Sequence, residues 1–386
     1  MKSVYMDHSA TTPVDPEVLQ TMMPYYTEIY GNSSSVHAQG QMAAQAVEQA
    51  REQVAALINA SPSEIVFTAG GTEADNQAII TYMTHKRQKK GRHIITSAIE
   101  HHAVLHTCEF LEKKGFELTV LPVNSYGLVE PDTLKAAIRP DTALVTIMHA
   151  NNEIGTIQDI KTLAHISHEA GAAFHTDAVQ SVGKIPLDVK ELGIDMLSAS
   201  AHKLYGPKGV GCLYVKKGTA VGSYLLGGAH ERNLRAGTVN VPGVVGFGKA
   251  AELAEQRMPQ TTEHLNHLAK VLTEGIINNI PDSRLTGHPV HRLPGSVSVV
   301  FDYVEGESIL LMLDHYGIMA SSGSACTSGS LDPSHVLLAI GLPHETAHGS
   351  LRLTLGKDNT IEDVNYVLEK LPPIIEKLRM MSPLGK

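Results

Sequence analysis

Short runs of apolar, often β-branched residues alternate with longer segments of helical periodicity over the first 250 residues of this chain. Runs of four to six such residues, bounded by turn-forming residues, predict buried strands, and the segments between them predict helices. This alternation indicates an α/β domain with a mostly parallel sheet covered by helices. The predicted strands are 65–68, 93–96, 143–148, 173–177 and 196–199, and the predicted helices are 74–82, 102–114 and 162–170.

The pattern changes after about residue 250. A long helical segment, 246–280, is predicted to be interrupted near Pro259, and it leads to a strand at 296–301 with a partner near 351–355. These elements predict a smaller α+β domain that the first dozen residues complete. We therefore predict a large domain over 14–255 and a small domain formed by 1–13 and 256–386.

Polar residues follow five of the predicted strands directly. The carboxyl ends of parallel strands lie at one edge of a sheet, where α/β proteins bind their ligands. Five polar strand ends in succession are better explained by one site than by five unrelated loops. They are Thr72 and Glu73, His101 and His102, Asn151 to Glu153, Asp177 to Gln180, and Ser200 to Lys203.

Three of these strand ends have specific chemistry. The Gly70-Gly71-Thr72 turn opens a helix and suits a phosphate, although a simple tight turn is equally compatible with it. Lys203 follows a strand and precedes a Gly/Pro-rich loop, where burial would favour the neutral amine that forms a Schiff base. A buried Asp177 would need a cation such as a protonated pyridine nitrogen, unless it only caps a helix.

The cysteines fall into two classes. Cys108 and Cys212 lie in apolar surroundings and are predicted to be buried structural residues. Cys326 lies instead in the small, polar loop 321–330, SSGSACTSGS, which we predict to be exposed. A thiol on such a loop can approach a bound substrate, react and withdraw, so Cys326 is the candidate carrier of a transferred group.

Charge and composition exclude several classes of protein. The net charge is −9, and the short basic stretch 85–90 is better explained as a solvated helix end than as a nucleic-acid patch. Three scattered cysteines predict neither a disulfide framework nor a metal site. Asp7 and His8 lie where a secretory signal would need an apolar core, and no apolar run has the length of a membrane span. We expect a cytoplasmic protein that binds neither membrane nor nucleic acid directly.

Specific motifs extend over nearly the whole chain: YMDHSATTP at 5–13, TAGGTE at 68–73, EHHAV at 100–104, HANNEIG at 149–155, DAVQS at 177–181, SAHK at 200–203, RAGT at 235–238 and LRLTLG at 351–356. With them the chain resembles the NifS/IscS-like cysteine desulfurases of the class V aminotransferase family. The serine-rich loop around Cys326 is similar to that of the first of the two desulfurase groups. The resemblance implies pyridoxal-phosphate fold type I: a mostly parallel, mixed seven-stranded sheet flanked by helices, plus a smaller α+β domain.

The resemblance also implies a role for each site residue. Lys203 would hold pyridoxal 5′-phosphate as a Schiff base and remove the substrate α-proton, His101 would stack on the ring and help to handle a thiol proton, and Cys326 would receive the sulfur of L-cysteine as a persulfide. Asp177 would pair with the ring nitrogen and Gln180 with the ring hydroxyl. The implied phosphate ligands are Gly71, Thr72, Ser200, His202 and, in the neighbouring subunit's site, Thr238; the implied substrate contacts are Arg352, Asn152 (also a cofactor contact) and Asn32.

The implied partners are a second copy of the chain, in a homodimer with shared sites, and a sulfur acceptor that is either an iron–sulfur scaffold or a tRNA-thiolating enzyme. An aminotransferase or lyase of the same family would keep Lys203, Asp177 and Arg352 but would not need Cys326. A non-catalytic scaffold with this fold is disfavoured, because all of these residues are present. A metal hydrolase is disfavoured too, since the adjacent pair His101 and His102 cannot face one ion from a helix.

Overall fold

The strands of the protein form one large sheet and two small ones. A computed structural model describes residues 2–323 and 333–382. In chain order, the strands are β1 Val4–Tyr5, β2 Ile65–Thr68, β3 His93–Ser97, β4 Glu117–Leu121, β5 Thr142–Thr146, β6 Ala173–Asp177, β7 Met196–Ser200, β8 Gly211–Val215, β9 Ser283–Leu285, β10 Ser296–Phe301, β11 Ile318–Met319 and β12 Ser350–Thr354.

The large sheet has seven strands in the order β2-β8-β7-β6-β5-β3-β4. Strand β8 is antiparallel to both of its neighbours, and the other pairs are parallel. Strands β3, β5 and β7 are buried along their whole length, which explains their short apolar runs. The predicted mixed, mostly parallel seven-stranded sheet is therefore confirmed.

Helices cover both faces of this sheet and the back of the smaller ones. A π-helical turn, Gln77–Thr81, joins α4 to α5, so the single helix predicted over 74–82 is divided into three parts. The helices are α1 Pro16–Met22, α2 Pro24–Thr27, α3 Ala38–Leu57, α4 Gly71–Asn76, α5 Tyr82–Thr84, α6 His102–Glu112, α7 Pro131–Ala137, α8 Ile160–Glu169, α9 Val241–Asn279, α10 Gly306–His315, α11 His335–Ala339, α12 His344–His348 and α13 Ile361–Met381.

The long helix α9 contributes to two hydrophobic cores. Its first part, including Phe247 and Leu253, packs with the large sheet, whereas Leu265, Leu272 and Ile276 pack with β10, β12 and α13. The second core also contains Val4 and Met6 of the chain's beginning. The predicted domain limits stay a prediction, but the helix changes from one core to the other between residues 253 and 265.

The predicted interruption of this helix near Pro259 is wrong. Helix α9 continues through Pro259 without a break. A proline removes one backbone hydrogen bond, here to the carbonyl of Glu255. Both residues are exposed, so water can solvate that carbonyl, and the buried residues on either side keep the helix in place.

Two small sheets bring the first residues of the chain to the site. Strand β10 pairs antiparallel with β12 and β9, and β1 pairs in parallel with β11. The Thr354 N–H also donates to the Met6 carbonyl at 2.7 Å. Residues 7–12 are thereby placed beside the carboxyl edge of the large sheet.

Candidate active site

Lys203 lies where strand β7 ends and a short 3-10 turn, Ala201–Lys203, begins. Its side chain is half-buried, and its Nζ donates to the carbonyls of Ser9 at 2.5 Å and Ala10 at 2.6 Å. The chain's beginning therefore directs this amine along the edge of the sheet rather than into bulk water.

Asp177 ends the neighbouring strand β6 and is 5% exposed. Burial raises the pKa of this carboxyl to about 6, while the positive charge of Lys203 opposes the shift. One oxygen accepts from the Val179 N–H at 2.9 Å, as in a helix cap, but residues 178–181 form turns rather than a helix. A buried carboxylate in this position is stabilised by a cationic partner.

Two more buried acids feel the charge of Asp177. Asp75 and Glu100 are buried, and burial raises both pKa values, that of Glu100 to about 8. The charge of Asp177 raises the pKa of Asp75 further. Glu100 accepts from Ser97 Oγ at 2.5 Å and from the Met148 N–H at 2.9 Å. Because the Met148 N–H bonds to Glu100, it does not take part in the backbone hydrogen bonding of the sheet. Strand β5 therefore ends at Thr146 and not at the predicted residue 148.

His101 is the N-cap residue of helix α6. Its Nδ1 accepts from the Ala103 N–H at 3.1 Å. Burial lowers the pKa of this imidazole, and the nearby Lys203 charge lowers it further. A neutral ring whose Nδ1 accepts carries its proton on Nε2. His101 therefore has one exchangeable proton available, on the nitrogen away from its own helix.

An open pocket of about 800 Å³ is lined by Ser200 and His202, which come just before Lys203 in the chain. Gly71 begins helix α4 at its wall, and a Cβ on Gly71 would lie 2.5 Å from Val179 Cγ2, so a side chain there does not fit. Helix starts and backbone N–H groups favour anions. The pocket collects four of the predicted phosphate ligands and two polar residues that sequence analysis missed: Gly71, Thr72, Ser200 and His202, with Thr11 and Lys208.

His202 shows why Thr11 belongs to this pocket. The His202 Nδ1 lies 3.0 Å from Thr11 Oγ1. Burial, together with the charges of Lys203 and Lys208, lowers the pKa of His202 to about 4. The Gly206-Pro207 turn that brings Lys208 to the pocket could have suggested this lysine, whereas nothing local in the sequence pairs Thr11 with His202.

Gln180 shares a hydrogen-bond acceptor with Lys203. Its Nε2 donates to the Ser9 carbonyl at 2.9 Å, and its Oε1 accepts from Lys184 Nζ at 3.1 Å. Burial is the main cause that lowers the pKa of Lys184 to about 7. Lys184 thus fixes the orientation of the Gln180 amide, with its NH₂ group on the side of Lys203.

Arg352, on β12, is 3% exposed between the two cores. Its Nη2 donates to Asp7 Oδ1 at 2.9 Å and its Nη1 to the Asn152 carbonyl at 3.1 Å. Its Nε is buried and has no hydrogen-bond partner among residues 2–323 and 333–382. The guanidinium is therefore held by the protein, and a substrate carboxylate would have to share it with Asp7.

Three predicted residues are not gathered with the rest. Asn32 is exposed, and its Oδ1 accepts from the Ser34 N–H within its own turn. Thr238 is also exposed, next to Arg235, which pairs with Glu73 at 2.9 Å. Cys326 lies outside the described residues. The roles of all three stay predictions.

The histidine spacing contains a pattern that sequence analysis overlooked. The run His344-Glu345-Thr346-Ala347-His348 has the H-E-x-x-H spacing of zinc hydrolases. In helix α12 the two rings lie edge to face, 4.7 Å apart, and Glu345 is exposed. Across residues 2–323 and 333–382, no group of three or more His, Cys, Asp or Glu side chains is arranged to hold a metal ion.

The site as a whole fits pyridoxal phosphate. The charge of Lys203 acts on a buried carboxyl group and on the His101 ring. A pocket with hydroxyl, amide and lysine donors is lined by the preceding residue, His202, and the oriented Gln180 amide donates to the same carbonyl as Lys203. These features correspond to a pyridine nitrogen, a phosphate, an aromatic face and a ring hydroxyl. The arrangement can bind an amino acid beside a lysine that is able to move a proton.

Comparison with known proteins gives the family. Residues 4–367 match the aminotransferase class-V family. A protein of Methanosarcina thermophila described as cysteine desulfurase IscS is 56% identical over 383 residues, which cover 99% of this chain and 94% of that protein. The chain belongs to the cysteine desulfurase family. The predicted family is thus confirmed.

Solved structures of cysteine desulfurase relatives share the fold. A structure described as a NifS-like protein superposes with a TM-score of 0.92 at 40% identity, covering 98% of this chain and all of that one. A structure described as SspA in complex with cysteine superposes with a TM-score of 0.81 at 38% identity, covering 93% of this chain and all of the other. Within the described residues, no helix combines the length and apolarity needed to cross a membrane.

Proposed function

We propose that this cysteine desulfurase converts L-cysteine to L-alanine and transfers the sulfur to Cys326 as a persulfide. The balance is one cysteine and one protein thiol to one alanine and one protein persulfide. The observation that carries the proposal is that the charge of Lys203 acts on the buried Asp177 carboxyl. Lys203 also directly follows His202, which lines the pocket that collects the predicted phosphate ligands, and β12 contributes the buried Arg352.

Pyridoxal phosphate, when bound, draws electrons away from the substrate α-carbon. Asp177 would hold its ring nitrogen and Lys203 its aldehyde carbon. Gln180 would donate to the ring hydroxyl, because Lys184 directs its NH₂ group toward that side. The pocket around Gly71 and His202 would hold the phosphate, to which Lys208 adds a positive charge.

Arg352 and Asn152 would orient the substrate. A guanidinium binds a carboxylate through two parallel hydrogen bonds, and the buried Arg352 already has one carboxylate partner in Asp7. With the carboxylate fixed there, Lys203 removes the α-proton as a general base, a step worth about 10²–10⁴-fold. The proton on His101 Nε2 would exchange with the thiol of the substrate or of the enzyme.

The sulfur-transfer step needs a reactive thiolate. Burial raises the pKa of Cys212 to about 12 and raises that of Cys108 as well, so both thiols stay protonated and inaccessible. Cys326 is left as the nucleophile. Its thiolate attacks the substrate sulfur, the new S–S bond forms as the C–S bond breaks, and the bonding electrons return to the carbon skeleton that is protonated to alanine.

The proposal extends to the partners of the enzyme. We propose a cytoplasmic homodimer in which Thr238 reaches the phosphate of the neighbouring site, consistent with its exposure. The persulfide sulfur would pass to an iron–sulfur scaffold or to a tRNA-thiolating enzyme. Measuring sulfur transfer from the loaded enzyme to each class of acceptor distinguishes the two.

The direct test compares two cysteine variants. Wild-type holoenzyme given L-cysteine should release alanine and gain the mass of one sulfur atom on the peptide that contains Cys326. Cys326→Ala should do neither, while the matched control Cys108→Ala, which removes a buried thiol, should behave like the wild type. Alanine production by Cys326→Ala at the wild-type rate would refute the carrier role.

A further inference from the structure

The residues on both sides of the segment 324–332 contact one buried carboxyl group. Ser334 Oγ donates a short hydrogen bond to Glu153 Oε2. On the other side, Gly323 lies so close that a Cβ there would be 2.7 Å from the same oxygen and 3.0 Å from Ser334 Cβ. We call Gly323, Glu153 and Ser334 the clasp.

Glu153 is held rigidly by its own turn. Its N–H donates to Asn151 Oδ1 at 2.8 Å, and the Asn151 amide donates in turn to the Ile99 carbonyl at 2.9 Å. The Glu153 side chain is 5% exposed. A buried carboxyl group without a donor is costly, so its contact with Ser334 is strongly favoured.

Ser334 transmits this fixed position to helix α11. Its hydroxyl gives its one proton to Glu153 and accepts from the Val336 N–H at 3.1 Å and the Leu337 N–H at 3.4 Å, which makes it the N-cap. The other side is fastened through β12, because Ser321 exchanges two backbone hydrogen bonds with Arg352, at 3.2 and 2.7 Å. Both sides are thus tied to groups beside the substrate site.

We propose that Glu153 is a positioning residue for sulfur transfer, which fixes Gly323 and Ser334, the described residues on either side of the segment that contains Cys326. The inference rests on the proposed function. Glu153 does not touch Lys203 or Asp177 through any hydrogen bond that the described residues show. Its loss should therefore impair the step that uses Cys326 and spare the step that uses Lys203.

These two steps can be measured separately. Exchange of the cysteine α-proton for deuterium requires Lys203, whereas alanine and persulfide formation require the Cys326 thiol as well. In Glu153→Gln and Ser334→Ala holoenzymes, alanine formation should fall about 10–100-fold, while α-deuterium exchange stays within about twofold of the wild type. The double variant should be no slower than the worse single one, since both remove the same contact.

Several variants control the experiment. Ser334→Thr keeps the hydroxyl and should retain most of the alanine formation. The pair Glu305 and Ser308, a 2.8 Å serine–carboxyl contact on the exposed side of α10, provides matched controls in Glu305→Gln and Ser308→Ala, which should leave both rates unchanged. Gly323→Ala places a methyl group against Glu153 Oε2 and is a second test variant in case Glu153→Gln does not fold. It should also lower alanine formation while leaving α-deuterium exchange unchanged.

The outcomes separate the inference from the proposed function. Unchanged alanine formation in folded clasp variants, or a parallel loss of exchange and alanine formation, overturns the inference and leaves the proposed function standing. A wild-type enzyme that exchanges deuterium but forms no alanine overturns the proposed function itself.

Discussion

The cofactor side and the sulfur side of the site are built in different ways. On the cofactor side, Lys203, Asp177 and His101 lie at or just after the carboxyl ends of strands of the large sheet. On the sulfur side, Arg352 of β12 and Ser334 before helix α11 contact Asn152 and Glu153, which follow β5. One side is the edge of a single sheet, and the other is a set of contacts between elements that lie far apart in the chain.

This difference separates the chemistry into two parts. At a sheet edge, the backbone hydrogen bonds between the strands hold the side chains in place. Such a fixed arrangement suits the binding of a cofactor. A contact between elements far apart in the chain depends on the placement of both elements, so a change there alters the position of reacting groups without removing them. Variants on the two sides should therefore fail at different steps.

The largest effect should come from the cofactor side. Lys203→Ala removes both the attachment of the cofactor and the base, so we expect the visible absorbance of the holoenzyme to disappear and α-deuterium exchange to fall by at least about 10⁴-fold. Spectra and mass spectrometry check this. The control Lys161→Ala, at an exposed surface pair with Glu191, should keep both signals. An unchanged spectrum in Lys203→Ala would defeat the cofactor assignment.

A smaller effect is expected for substrate binding on the other side. Arg352→Lys keeps the positive charge but loses the planar fork, so we expect KM for cysteine to rise about 100-fold with the absorbance intact. Steady-state kinetics measure this. The control Arg284→Lys, at an exposed contact with Asp302, should leave KM unchanged. A lower kcat at unchanged KM would place Arg352 outside the substrate site.

The smallest effect concerns the stability of the cofactor side. Burial raises the pKa of Glu100 from 4.5 to about 8 in the folded protein, so between these values the folded state holds a proton that the unfolded state has lost. The ionisation of Glu100 therefore lowers the free energy of unfolding as the pH rises from 4.5 to about 8. Relative to wild type, the Glu100→Gln apoprotein should gain up to about 1.4 kcal/mol of unfolding free energy per pH unit across that window.

Urea unfolding of the apoproteins at a series of pH values measures that difference. The exposed Glu112→Gln control should show a flat difference from wild type. A flat difference for Glu100→Gln as well would mean that Glu100 is ionised in the folded protein, contrary to its burial.

The two sides also differ in how well the sequence predicted them. The strands β2, β6 and β10 were predicted to the residue, because buried strands bounded by turns have a clear pattern. The polar residues at the ends of the large sheet's strands could be placed together because parallel strands share an edge. These local rules need no knowledge of distant contacts.

The sulfur side offered no such rule. The pairing of Arg352 with Asp7 joins residues 345 positions apart, and the contact of Ser334 with Glu153 joins residues 181 apart. Glu153 was noted as one of several polar residues after a strand, but nothing local indicated its partner. Thr11 was missed for the same reason, whereas Lys208 could have been suggested by the Gly206-Pro207 turn before it. Pro259 was misjudged because its exposure is a property of the tertiary structure.

The most direct test of whether removal of the α-proton and transfer of the sulfur are separable is to measure both on one sample. Cys326→Ala holoenzyme is incubated with L-cysteine in deuterium oxide, and mass spectrometry follows deuterium at the cysteine α-carbon together with alanine. We predict exchange at the wild-type rate without alanine. Alanine formation, or exchange lost together with it, would contradict the assignment of the proton to Lys203 and of the sulfur to Cys326.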